Sequence, residues 1–364
     1  MSTIRFVLLG GFLGAGKTTT IARLARAYLR KGLNVGIVTN DQAADLVDTH
    51  NLRAQGFEVG EVAGACFCCR FDELTAAIEK LESRQTPDVI LSEPVGSCAD
   101  LVATVIQPIQ RSFSSKFDVA PYGVILKPSH GRKILRNEAK GGFSPKAAYI
   151  LRKQLHEADF VIVNRIDQLP KTEVDELEEL VSAEVPDVPV LRLSALTGEG
   201  FEELLEMLDQ RGPFGQRILD IDYDIYAEGE AELGWLNSHF RVEAPEPFAL
   251  DDLLVDMVGR LQQSLGELGA ETAHLKTIGL WEGYHAVANL VSSDSPVELS
   301  TASGCRTKTA DIIVNARVGT TPELLQQHTE RAAHEACATA GAAVEPVHTR
   351  SLRPGRPVPT YRIT

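Results

Sequence analysis

Between residue 4 and about residue 210, short apolar runs rich in β-branched side chains alternate with stretches whose apolar positions recur every three or four residues. The runs are RFVLLG (5–10), NVGIVTN (34–40), FEVGEV (57–62), DVILSE (88–93), YGVILKP (122–128), FVIVNR (160–165) and VPVLRLS (188–194). Most are continuously apolar, as expected of parallel strands covered by helices on both faces. Between them, KTTTIARLARAYLRKG carries helical spacing and stops at Gly32. The alternation predicts a doubly wound α/β domain with a mainly parallel sheet over 1–212.

The pattern then changes. Residues 213–235 open with Pro213 and Gly215 and then run acidic, which predicts a linker. Beyond it, a strand around HFRVEA precedes a helix with Leu250, Leu253, Leu254, Met257, Leu261, Leu265 and Leu268 on one face. Three strand-like runs follow: HLKTIGLW, YHAVANLVSS and ADIIVNARVG. A last helix opens at Thr320, Thr321, Pro322 and Glu323, where a capping Thr and a first-turn Pro agree, and it ends at Gly341. The order predicts a smaller α+β domain over 236–364, with helices on a mainly antiparallel sheet.

Composition narrows the function classes. The 364 residues are 44% hydrophobic and 24% charged, ordinary for a globular protein. A formal net charge of −14 repels phosphate backbones and argues against nucleic acid as a partner. The apolar N-terminal run is too short for a signal segment, and nothing approaches the ~20 apolar residues that span a bilayer. The expectation is a cytoplasmic protein, with no membrane partner and with reduced thiols.

The sharpest motif is Gly11-Phe12-Leu13-Gly14-Ala15-Gly16-Lys17-Thr18, followed by Thr19. It fits G-x-x-x-x-G-K-[ST] and sits between a strand and a helix, the setting that gives such a match meaning. Gly11, Gly14, Ala15 and Gly16 let backbone N–H groups curl round phosphate oxygens. Lys17 then reaches the β- and γ-phosphates and the Thr18 hydroxyl meets Mg2+. Glu93 ends the strand DVILSE and is expected to hold the Mg2+ shell, with the Gly96 amide on the γ-phosphate.

Two later segments choose the base. Asn164-Arg165-Ile166-Asp167 follows a strand and matches the guanine-reading N-K-x-D pattern except at Arg165. A carboxylate there accepts from the ring N–H and the exocyclic amine of guanine, a donor pair adenine lacks. Ser194-Ala195-Leu196-Thr197-Gly198 follows the next strand, where a backbone N–H can reach guanine O6. Together they favour GTP.

Cys66, Cys68 and Cys69 fall within GACFCCR. A disulfide is disfavoured in a reducing compartment and strained between adjacent cysteines. Three such neighbours cannot all face one core, although packing suits Cys98, Cys305 and Cys337. Thiolates on a tight loop suit Zn2+ or another transition metal, with a fourth ligand from water, a His or a partner chain. A redox-sensitive thiol cluster is the alternative.

Taken together, GGFLGAGKTT, Glu93 with Gly96, Asn164 to Asp167 and the Cys-x-Cys-Cys of Cys66, Cys68 and Cys69 resemble the CobW/HypB/UreG group of P-loop GTPases, and within it the CobW-like metallochaperones. The resemblance covers about residues 4–210. It implies a P-loop NTPase fold, slow GTP hydrolysis, a zinc or similar site near the nucleotide, and a client metalloprotein or cofactor enzyme as partner. It also implies a monomer or a nucleotide-dependent dimer. Asn40-Asp41-Gln42 falls at the end of the strand NVGIVTN, where switch I is expected; Asp41 either touches Mg2+ or orients the attacking water, or is a solvated loop carboxylate. Val95 stands where relatives commonly carry Ser or Thr, Gly64-Ala65 replaces Asn-Gly, and the nine histidines form no tract. Two other readings stay open: a GTPase that gates or repairs a cofactor-dependent (for example cobalamin) enzyme, and a P-loop kinase. The locally basic stretch 127–142 suits an acidic client or a solvated loop.

Overall fold

The computed structural model describes residues 3–41, 47–136 and 145–364. They divide into two compact units: Met1–Gln42, Phe57–Gly229 and Arg356–Thr364 in the first, Ala43–Gly56 and Glu230–Gly355 in the second.

The first unit is built on β1 (Ile4–Gly11), β2 (Val35–Asp41), β3 (Val59–Ala63), β4 (Val89–Glu93), β5 (Phe117–Val119), β6 (Gly123–Leu126), β7 (Phe160–Val163) and β8 (Val190–Arg192). Their order is β3-β2-β4-β1-β6-β7-β8, with β5 beside β1, and the pairs are parallel. β1 is buried along its whole length, which is why its apolar run does not alternate. The Lys17–Arg30 helix buries Ile21, Leu24 and Tyr28, each worth on the order of 1.5–3 kcal/mol.

Because β1 lies between β4 and β6, the strand order reverses there. The crevice outside the carboxyl ends of strands at such a switch point is where this architecture binds ligands. Gly11, Asp41, Ala63 and Glu93 all terminate strands at that edge.

The second unit holds β9 (Gly234–Ala249), β10 (Thr272–Trp281), β11 (Tyr284–Leu290), β12 (Glu298–Thr301), β13 (Arg306–Val318) and β14 (Ala343–Leu352). The sheet is antiparallel, in the order β12-β11-β10-β13-β9-β14. Ile312 and Val314 of β13 pack with the Leu250–Glu267 and Pro322–Thr339 helices. Thr321 caps the latter, accepting the Leu324 N–H at 3.3 Å.

The opposite face of this sheet is covered from an unexpected place in the chain. Period-two alternation sends Ile313 the other way from Ile312, and there it meets Ile278, Val287 and Val47. Val47 opens the Val47–Ala54 helix, which follows β2 in sequence but belongs to the second unit. Its N–H donates to Asn315 Oδ1 at 2.8 Å, and Asp48 pairs with Lys276.

The stretch read as a linker contains a helix, Tyr223–Ala231. Tyr223 donates to Asp100 Oδ2 at 2.7 Å, and the buried Tyr226 accepts the Ala99 N–H at 3.3 Å. The two tyrosines tie it to the first unit. Among the described residues, no helix is long and apolar enough to cross a membrane.

Candidate functional site: a phosphate loop beside a thiol cluster

The P-loop geometry follows from its glycines. Gly11, Gly14 and Gly16 have φ of 135°, 70° and 98°, which side-chain-bearing residues rarely adopt. Space is also exhausted at Gly16, where a Cβ would fall 2.3 Å from Asn164 Nδ2. Ala15 is buried and Thr19, on the first turn of the helix, is exposed. Lys17 is buried, its Nζ donating to the Gly11 carbonyl at 2.8 Å.

The magnesium candidates meet. Thr18 Oγ1 donates to Glu93 Oε1 at 2.9 Å, so the end of β4 is aimed at the start of the P-loop helix. A hydroxyl and a carboxylate in that relation suit a hard cation with oxygen ligands. Gly96 lies against the P-loop: a Cβ there would come within 2.8 Å of Leu13 Cδ2 and 3.1 Å of Leu13 N.

On the base side, Asn164 is a brace. Its Nδ2 donates to Ala15 O at 2.8 Å and its Oδ1 accepts the Ala195 N–H at 2.9 Å. One buried amide thus joins the P-loop to the loop after β8. Ser194 closes that loop, its Oγ accepting the Thr197 N–H at 3.0 Å. Arg165 is left-handed at φ 63°, and Asp167 is exposed in the Ile166–Gln168 turn, whose first N–H donates to Leu193 O at 3.3 Å.

The cysteine loop begins where β3 ends. Cys66 Sγ lies 2.9 Å from Cys68 Sγ and 3.3 Å from Cys69 Sγ, and the Cys68–Cys69 sulfurs are 3.7 Å apart. The three ligand atoms all lie within 4.8 Å of one another. Cys66 and Cys68 are buried and Cys69 is half-buried. Thiol donors from Cys68, Cys69 and Cys98 hold the Cys66 thiol well below the usual range. Bonding to Cys66 pushes Cys68 well up and Cys69 up to about 11. Such sulfurs share protons that a soft divalent ion would displace, so the donor set fits Zn2+ or a similar metal.

Asn40, at the end of β2, shapes this loop. Its Nδ2 donates to Val62 O at 2.9 Å and Ala65 O at 2.8 Å, and its Oδ1 accepts the Phe67 N–H at 2.8 Å. Asp41, half-buried next to it, accepts the Gly64 N–H on its carbonyl at 3.1 Å. Gln42, expected in switch I, lies outside the described residues, as does 137–142 of the basic stretch. Asn40→Ala removes two bonds to the loop and one to the end of β3. The expected result is metal affinity about 10- to 100-fold weaker, the usual cost of losing such a supporting contact. Competition against a chromophoric chelator measures it, and an unchanged affinity would mean that the loop holds its shape without Asn40.

Sequence reasoning missed two neighbours of the thiols. The first is the chain's own C-terminal segment. Val358 N–H donates to Cys69 Sγ at 3.3 Å, Thr360 N–H to Cys68 O at 2.8 Å, and Arg362 Nε to Asp100 Oδ2 at 2.7 Å. Nothing in its proline-rich sequence signals that role. The second is Cys98, read as a packing residue, whose thiol hydrogen-bonds Cys66. Its position two residues after Gly96 was the available signal. Cys337 does pack in an apolar core.

A family model, the CobW/HypB/UreG nucleotide-binding domain, matches residues 5–192. The chain belongs to that family. It thus carries a nucleotide-binding domain, with the P-loop at Gly11–Thr18. Among curated relatives, urease accessory protein UreG of Metallosphaera sedula is 29% identical over 216 residues, covering 55% of this chain and 90% of that protein. UreG of Edwardsiella ictaluri is 28% identical over 225 residues, covering 57% and 94%. Among solved structures, HypB from Helicobacter pylori in complex with nickel shares 18% identity at a TM-score of 0.41, over 61% of this chain and 92% of its own. Zn(II)-bound YjiA GTPase from E. coli shares 16% at a TM-score of 0.37, over 91% and 99%.

Proposed function

We propose that this CobW/HypB/UreG-family protein binds GTP with Mg2+, hydrolyses it slowly, and uses the nucleotide state to set the geometry of the Cys66, Cys68 and Cys69 site. That site takes zinc or a similar transition metal for a client metalloprotein or cofactor enzyme. The observation that carries this reading is Asn40. It lies next to last in β2 and opens the expected switch I segment, and its side chain holds the thiol loop. Any ordering of that segment round a γ-phosphate therefore acts on the residue that shapes the metal site.

The residues divide the work. Lys17 and the P-loop amides cradle the phosphates, Thr18 and Glu93 hold Mg2+, Gly96 meets the γ-phosphate, and Asp167 reads the base with the loop at Ser194 and Ala195 beside it. Bound Mg2+ would neutralise charge developing on the phosphoryl oxygens. Ser97, not Gln, follows Gly96, so a water-orienting Gln is missing there and hydrolysis without a partner is slow. The Val47–Ala54 helix supports a role for the second unit in reading the same switch, since it follows the expected switch I in sequence and is seated on that unit's sheet. This also suits the gating reading, in which no metal moves.

Coupling between two sites is reciprocal. GTP and zinc should strengthen each other's binding by the same factor, about 1–3 kcal/mol, the usual range for such linkage. Zinc is titrated by chelator competition with GDP, then with a non-hydrolysable GTP analogue, on the wild type and on a triple Cys66/Cys68/Cys69→Ser variant that binds nucleotide. Zinc affinity that ignores nucleotide, or that survives loss of the thiols, moves the assignment to the gating GTPase.

A further inference from the structure

A tetrahedral ion needs four ligands, and the Cys66, Cys68 and Cys69 group supplies three. We propose that Cys98 is the fourth sulfur ligand, delivered to the metal by the loop that carries Glu93 and Gly96. This inference rests on the metal reading above.

Cys98 is 1% exposed, and its thiol is bonded to the Cys66 sulfur. Its backbone is fixed on both sides. The N–H closes a turn onto Val95 O at 2.9 Å, and the carbonyl accepts Gln154 Nε2 at 2.8 Å. The same Nε2 donates to Gly96 O at 3.0 Å. Gln154 is itself buried on the Pro145–Glu157 helix, so one side chain registers both the phosphate-facing glycine and the cysteine. The backbone of Cys98 is thus held, and its thiol is bonded to a proposed ligand.

The three-sulfur group closes within 4.8 Å without Cys98, whose thiol is bonded to Cys66 and acts electrostatically on Cys68. Zinc–sulfur bonds of about 2.3 Å in a tetrahedron set the sulfurs about 3.8 Å apart. The observed 2.9, 3.3 and 3.7 Å therefore open a little round an ion, and Cys98 closes the remaining side. Among the described residues, no His, Asp or Glu joins this group. Val358 offers Cys69 a hydrogen-bond donor, which steadies a thiolate but ligates nothing. On binding, each thiol gives its proton to solvent and its lone pair to the metal.

The consequence is a ligand that moves with the nucleotide sensor. Four sulfurs make a closed, retentive site, and three leave a position through which an incoming ligand can take the metal. Withdrawing the loop by two residues' reach of Gly96 converts one into the other.

X-ray absorption at the zinc edge of the full-length protein, with GDP and with a GTP analogue, counts the sulfurs. The expected result is four in the wild type in at least one nucleotide state, and three plus a lighter atom in Cys98→Ser. Zinc affinity of that variant should fall at least tenfold by chelator competition, and the thiolate charge-transfer band of the Co2+ form by about a quarter. Three sulfurs in both nucleotide states of the wild type overturns the proposal and leaves the metal reading standing. That count decides the matter even if Cys98→Ser does not fold. A wild type that takes up no zinc overturns both.

Discussion

Asp167→Asn is expected to weaken GTP binding by about 2–4 kcal/mol, roughly thirty- to a thousand-fold, while improving xanthosine triphosphate. The reason lies in how the base side is built. Asn164 belongs to the same signature, but both ends of its amide are spent, on Ala15 O and the Ala195 N–H. It holds the two loops together and leaves discrimination to its neighbour. Asp167 is exposed on the turn that those bonds position, where its two oxygens can accept the ring N–H and amine of guanine. An amide in its place sets a donor against a donor. Xanthine presents a carbonyl at the amine position, and the mismatch becomes a match. Equilibrium binding of GTP, ATP and xanthosine triphosphate to both proteins measures the change, and equal GTP affinity in the two would remove Asp167 from base reading.

The sequence carried the first unit well because its signals are local. A continuously apolar run such as RFVLLG can be little but a covered strand, and β1 is buried throughout. The P-loop was legible for the same reason: its glycines answer to conformations that few other residues adopt. What stayed hidden was set by contacts distant in sequence. β14 and β12 escaped notice because they edge the sheet, where polar and half-exposed residues erase the alternation. The Tyr223–Ala231 helix sits in acidic sequence and declares itself only through two tyrosines on partners more than a hundred residues away. Likewise no property of Val47 announces that it packs on Ile278 and Ile313. Among the thiols, adjacency revealed Cys66, Cys68 and Cys69, while Cys98 needed the fold to bring it to them.

Lys17→Ala and Thr18→Ala should each lower GTP turnover by about 100-fold or more, close to 3 kcal/mol of lost transition-state stabilisation. The two act on different charges. Lys17 donates to the neutral Gly11 carbonyl at 2.8 Å, a bond that bound phosphate would replace with an ion pair, so its loss would leave negative charge uncompensated. In the proposed reading Thr18 would contribute a metal ligand, in keeping with its hydroxyl meeting the Glu93 carboxylate at 2.9 Å. A conservative variant separates this from mere packing: Thr18→Ser keeps the hydroxyl and should keep most of the turnover, with the Mg2+ requirement unchanged. Thr18→Ala should instead demand far more Mg2+ for whatever activity survives. Steady-state phosphate release across a magnesium titration reads both effects. Wild-type rates from both alanine variants would place the chemistry somewhere other than this loop.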